Sequence, residues 1–143
     1  MFLAIANAFA IAALANPGHT TEIEHRGTTY DVEYQAIVDY DTRVVGTAPP
    51  TRPGSRRCEM TVRVSVERHI RTETGSHAIK HLLPGAKTYR TSQPGRCTNT
   101  DEKLARLTRD KHDDIRAHVA ALAGTDRQAA IAAIEAAHNL AAR

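Results

Sequence analysis

Eight histidines in a chain of 143 residues are the side chains best suited to chemistry near neutral pH. Their most suggestive spacing is His77 with His81. Four residues apart, the two imidazoles share a face on either a helix or a strand, and His69 lies close in sequence as a third ligand. Such a set could hold Zn²⁺ or Cu²⁺. The competing reading is a pair of ordinary surface imidazoles, because the chain is rich in histidine and contains no H-E-x-x-H. His118 and His138, with Lys111, Asp114 and Glu135, form a second group able to exchange protons if the fold brings them together.

A basic cluster offers different chemistry. Arg52, Arg56 and Arg57 stand at the tip of the Pro-rich loop 46–55, and Arg43 lies just before it. Guanidinium groups pair in the plane with carboxylates and phosphates, so these residues suit an anionic envelope component or an acidic protein. A solubilising loop tip would look the same. The net charge of +3 favours anionic surfaces without demanding nucleic acid. The chain has no Trp, few aromatic side chains for base stacking and no recognition-helix signature. It contains no nucleophile elbow, phosphate-binding loop, dinucleotide glycine pattern or S-x-x-K. No catalytic residue is therefore assigned.

Cys58 and Cys97 are the only cysteines. In an exported chain they are expected to form one intramolecular disulfide, worth about 4 kcal/mol by loop-closure entropy. Export itself is read from the front end. Residues 2–14 carry no charge, Ala13-Leu14-Ala15 supplies small residues at the cleavage positions, and Asn16-Pro17-Gly18 breaks a helix. The run is too short to span a bilayer and matches a secretory signal peptide over residues 1–15, although no Lys or Arg precedes it. Residues 16–143 then form a single periplasmic or secreted domain with no transmembrane segment.

Two alternating stretches must position these groups. Tyr30, Val32, Tyr34, Ala36, Val38 and Tyr40 share one face of residues 29–40, and Met60, Val62, Val64 and Val66 share one face of residues 59–67. Period-two patterns of this kind predict half-buried antiparallel strands, each with one wet face. A short strand over 21–25 turning at Arg26-Gly27 precedes them, and another over 87–91 follows. The stretch 77–83 fits either a helix or a strand. Beyond Asn99 the apolar period lengthens: Leu104, Leu107, Ile115, Val119 and Leu122 form a helical stripe. Asn99 with Glu102 and Thr125 with Gln128 resemble capping boxes, and Gly124 reads as a helix stop.

These signals predict an α+β fold: a small antiparallel β-meander of three or four strands (β-rich 20–92) packed by a C-terminal αα-hairpin (99–142). In that hairpin Ile115 would face Ile134, and Lys111 would face His138. The expected function is an exported, non-catalytic binding or interaction protein of unassigned ligand. Its alternatives are a metal-binding protein using the histidine pair, and a small envelope hydrolase or hydrolase inhibitor.

Overall fold

The computed structural model describes residues 17–47, 50, 54–72, 75 and 78–142. The leader reading of residues 1–15 lies outside these. The chain forms an antiparallel sheet followed by two helices: β1 (Gly18–His25), β2 (Thr28–Val45), β3 (Arg57–Thr72), β4 (Ile79–Leu82), β5 (Lys87–Pro94), α1 (Thr100–Asp110) and α2 (His112–Ala141). The α+β meander is as expected, with one more strand. The undecided stretch resolves as a strand over residues 79–82.

Sequence-adjacent strands pair in order, β1 with β2 and β2 with β3. The first turn is Arg26-Gly27, with both residues at positive φ (51° and 76°), the conformation a two-residue hairpin needs to match strand twist. β4 and β5 both pair with β3, one behind the other along the same edge. Glu67 pairs with Leu82 and Val64 with Lys87, so residues 83–86 bulge between the two strands. Gly85 holds φ +97° within that bulge. The Leu83 amide donates to the Val66 carbonyl at 2.8 Å, and its side chain turns into the core.

The alternation places Val32, Tyr34, Ala36, Met60, Val62, Val64, Val66 and Ile70 on the covered face, all buried. Ile115, Val119, Ala123, Ala130 and Ile134 of α2 close over them. The alanines on this stripe let the helix backbone approach the strands. Tyr40 stands near the periphery and remains 43% exposed. Cys58 and Cys97 are bonded, joining β3 to the segment before α1.

The expected break between the helices is displaced. Gly124 and Thr125 lie inside α2, and the interruption falls at Lys111, whose φ is −98° and ψ 7°. Backbone hydrogen bonds continue across it, from the Lys111 amide to Leu107 and from the Ile115 amide to Lys111. Gly124 lacks the positive φ of a glycine helix stop. Thr125 Oγ1 donates back to the Leu122 carbonyl at 3.0 Å instead of capping a new helix. Ile115 and Ile134 therefore sit on one helix, about 28 Å apart at 1.5 Å per residue, and the predicted pairing across a Gly124 turn does not form. The first capping box is also absent: Asn99 is left-handed (φ 53°) and makes no side-chain cap.

Candidate functional site

Three polar clusters fasten the helix layer across the sheet. Near the start of α2, Asp114 accepts from Lys87 at 2.7 Å and from the Tyr89 hydroxyl. In the middle, Asp126 takes Arg68 Nη1 on both carboxylate oxygens, at 2.9 and 2.8 Å, and the Tyr34 hydroxyl at 3.0 Å. Toward the end, Glu135 meets His25 and Arg26 at the first hairpin turn. The helix thus runs diagonally from β5 to the β1–β2 turn. Burial, reinforced by Asp126, pushes the Tyr34 hydroxyl up to about 12, and burial with Asp114 does the same for Tyr89. Hydrogen bonding to His25 holds the Glu135 carboxyl below its ordinary value, and Lys87 and Tyr89 do so for Asp114.

These clusters replace the proton-exchanging group expected from the sequence. Asp114 and Glu135 are 21 positions apart on one helix, about 31 Å along its axis. His118, His138 and Lys111 do not converge, because the hairpin that would have gathered them is not formed. Arg68 and Asp126 carry a signal that is readable in the sequence. Arg68 falls in phase with Val62, Val64, Val66 and Ile70 on the apolar face, where an arginine requires an acid opposite it.

The histidines expected to bind metal separate. His81 pairs with Arg68, and His69 pairs with Lys80 one register position away. Alternation sends the two imidazoles to opposite faces of the sheet. His69 Nε2 is bonded to Glu67 at 2.6 Å. His77 lies outside the described residues, and no group of three or more His, Cys, Asp or Glu among the described residues is placed to hold a metal ion.

The arginines fare differently. Arg52 lies outside the described residues, and Arg56 precedes β3, its carbonyl accepting the Gly95 amide at 2.8 Å. Arg43 and Arg57 both belong to the sheet face turned away from the helices. Arg43 lies opposite Glu59 and donates to it through Nε at 2.8 Å, and Arg57 lies opposite Val45. Arg63, opposite Asp39, and Arg90, opposite Thr61, share that face. Between Arg43 and Arg90 is a cleft of about 430 Å³ lined also by Asp41, Glu59, Thr61 and Ser92, with Met60 and Thr91 at its β3–β5 side. It presents two guanidinium groups, two carboxylates and three hydroxyls, a set that recognises small polar or anionic groups by hydrogen bonding. Arg63, outward on its strand by alternation, is set opposite the acid Asp39, whereas Arg90 is not legible from sequence, because the cross-strand register that brings it to Arg43 is not written in either strand alone.

The opposite end of the same face is acidic, with Glu22 and Glu24 of β1 beside Asp31 and Glu33 of β2. No family model, curated protein or solved structure matches this chain. No helix among the described residues is long and apolar enough to cross a membrane.

Proposed function

We propose that this chain is an exported, non-catalytic binding module that engages an anionic ligand or acidic partner on the open face of its sheet. The observation that carries the reading is the convergence of Arg43 and Arg90 on one cleft, with Arg57 and Arg63 on the same uncovered face. Export is supported by the Cys58–Cys97 bond, since disulfides persist in oxidising compartments. It also draws on the apolar leader-like residues 2–14. Amino-terminal sequencing of the protein recovered from its native cells should begin at Asn16.

Binding is tested by titrating the protein with lipopolysaccharide and with lipoteichoic acid at low and high salt. Affinity for at least one should fall steeply as ionic strength rises. The double variant Arg43→Gln/Arg90→Gln should weaken it by about tenfold or more, the contribution of a hydrogen bond to a charged group. Binding unchanged by salt and by both substitutions would remove this cleft from consideration.

A further inference from the structure

A second recess lies on the helix side of β5, around the edge from the cleft just described. It encloses about 290 Å³ between β5 and α1 and is lined by Met60 and Leu107, by Thr91, Ser92 and Gln93, and by Lys103, Arg106, Asp110 and Lys111. The α1 contribution recurs at intervals of three or four, so one helix face forms the wall. Met60 and Leu107 are buried apolar residues at the floor. The aliphatic stems of the three cations extend that apolar surface while their charged heads stand at the rim. Lys111 Nζ lies 5.9 Å from the Tyr89 ring centroid, directing this cation toward the β5 wall. Arg106 meets Glu102 only at 3.6 Å, on an exposed flank. Three cations against Asp110 leave the rim basic, above an apolar floor. Among the described residues β5 pairs with β3 alone. Its outer side therefore adds unpaired backbone donors beside that rim.

We infer that this groove binds a single-chain amphiphile with a carboxylate head group, that is, a fatty acid. The acyl chain lies on Met60 and Leu107, and the carboxylate is held by Arg106 and Lys103. The volume admits one short chain and stands at the small end of ligand pockets, too small for a folded partner. The charge pattern supplies the discrimination: an apolar floor alone accepts an alcohol equally well, whereas a cationic rim favours the acid. This site adjoins the open-face cleft across β5, sharing Met60, Thr91 and Ser92 with it, but its cations, Lys103, Arg106 and Lys111, are its own.

The test is isothermal titration calorimetry on the disulfide-bonded protein with hexanoate, octanoate and decanoate below their micellar concentrations. Decanol and anionic phospholipid vesicles serve as further arms. Saturable binding of decanoate is expected, with affinity rising about fourfold per added methylene as apolar area is buried. Decanol should bind at least about tenfold more weakly than decanoate. Lys103→Gln/Arg106→Gln, in which Arg106 is exposed and Lys103 half-buried, should weaken decanoate by about tenfold or more. Arg43→Gln/Arg90→Gln should leave decanoate binding unchanged. Absence of decanoate binding, indifference to chain length, equal binding of decanol, or no effect of the Lys103/Arg106 pair would each overturn the assignment. Association with vesicles but not with monomeric decanoate would overturn it in favour of a membrane surface.

Discussion

Replacing Asp126 by Ala tests the fastening of α2 to the sheet more directly than any core truncation. The Arg68 side chain is 5% exposed and that of Asp126 9%, so neither reaches bulk water. Both Asp126 oxygens accept from Arg68 Nη1, and Oδ2 also accepts from the Tyr34 hydroxyl. Arg68 Nε has no partner among the described residues. Removing the carboxylate leaves a buried guanidinium without its counter-charge and a buried hydroxyl without its acceptor. Breaking a buried pair from one side costs about 3–5 kcal/mol. With a urea slope of about 2 kcal/mol per molar, the unfolding midpoint should fall by about 2 M. The double replacement Arg68→Met/Asp126→Leu removes both charges and fills the space with apolar atoms. It should recover most of the loss from the charge pair, whose attraction is largely cancelled by its desolvation, leaving about 1–3 kcal/mol for the buried Tyr34 hydroxyl that still lacks its acceptor. Urea unfolding followed by circular dichroism at neutral pH reads both variants. If Asp126→Ala costs under about 1 kcal/mol, Arg68 has another acceptor or reaches solvent, and the reasoning fails.

Alkaline pH should destabilise the protein between about 10 and 12. The Tyr34 hydroxyl is held up to about 12 in the fold, against about 10 in the unfolded chain, so the unfolded state loses its proton first and stability falls through that window. Tyr34→Phe should flatten part of this fall when denaturant midpoints are compared at pH 9 and 11. In the acid direction, the lowered carboxyl of Glu135 contributes stability above the ordinary carboxylate range that is lost as pH falls. Glu135→Gln should reduce the slope of midpoint against pH there. Reduction of the Cys58–Cys97 bond, which closes a separation of 39 residues, should cost about 4 kcal/mol, measured by unfolding with and without reductant. Gly46→Ala should cost about 1–3 kcal/mol, because Gly46 has φ +96° and an added Cβ would lie 2.4 Å from the Ser55 carbonyl oxygen. Gly27→Ala meets no neighbouring atom and should cost less in the same melts, the left-handed backbone being its only penalty.

The strands were legible because their alternation is enforced by burial on one side. Val32, Tyr34, Val62, Val64 and Val66 are buried for the same reason that they recur at every second position. The disulfide was legible because two cysteines admit one intramolecular pairing. The strand over 79–82 was not, since its pattern of exposed residues carries no face signal and its identity comes from pairing with Glu67–Ile70. The arginine pair of the open-face cleft was half legible. Arg43 sits next to a visible loop, but Arg90 joins it only through a register set by distant turns.

The helix break was misread because local signals pointed to Gly124 while tertiary contacts favoured continuity. A glycine costs a helix interior only about 1 kcal/mol relative to alanine, and Asp126, two residues on, is held by Arg68 and Tyr34 in a geometry available only if the helix runs through. The buried residues on either side, Val119 and Ala123 before it and Ala130 and Ile134 after it, hold the same stripe against the sheet. At Lys111 the balance reverses. No apolar residue lies between Leu107 and Ile115, and Asp110, Lys111, His112 and Asp113 are all exposed. Nothing there gains by staying in phase, so the chain turns where straightness has no reward. That turn leaves α1 with Leu107 as its one buried side chain, only loosely seated on β5. The basic groove follows from the same arrangement, because a helix drawn tightly onto Met60 would leave no recess there to fill.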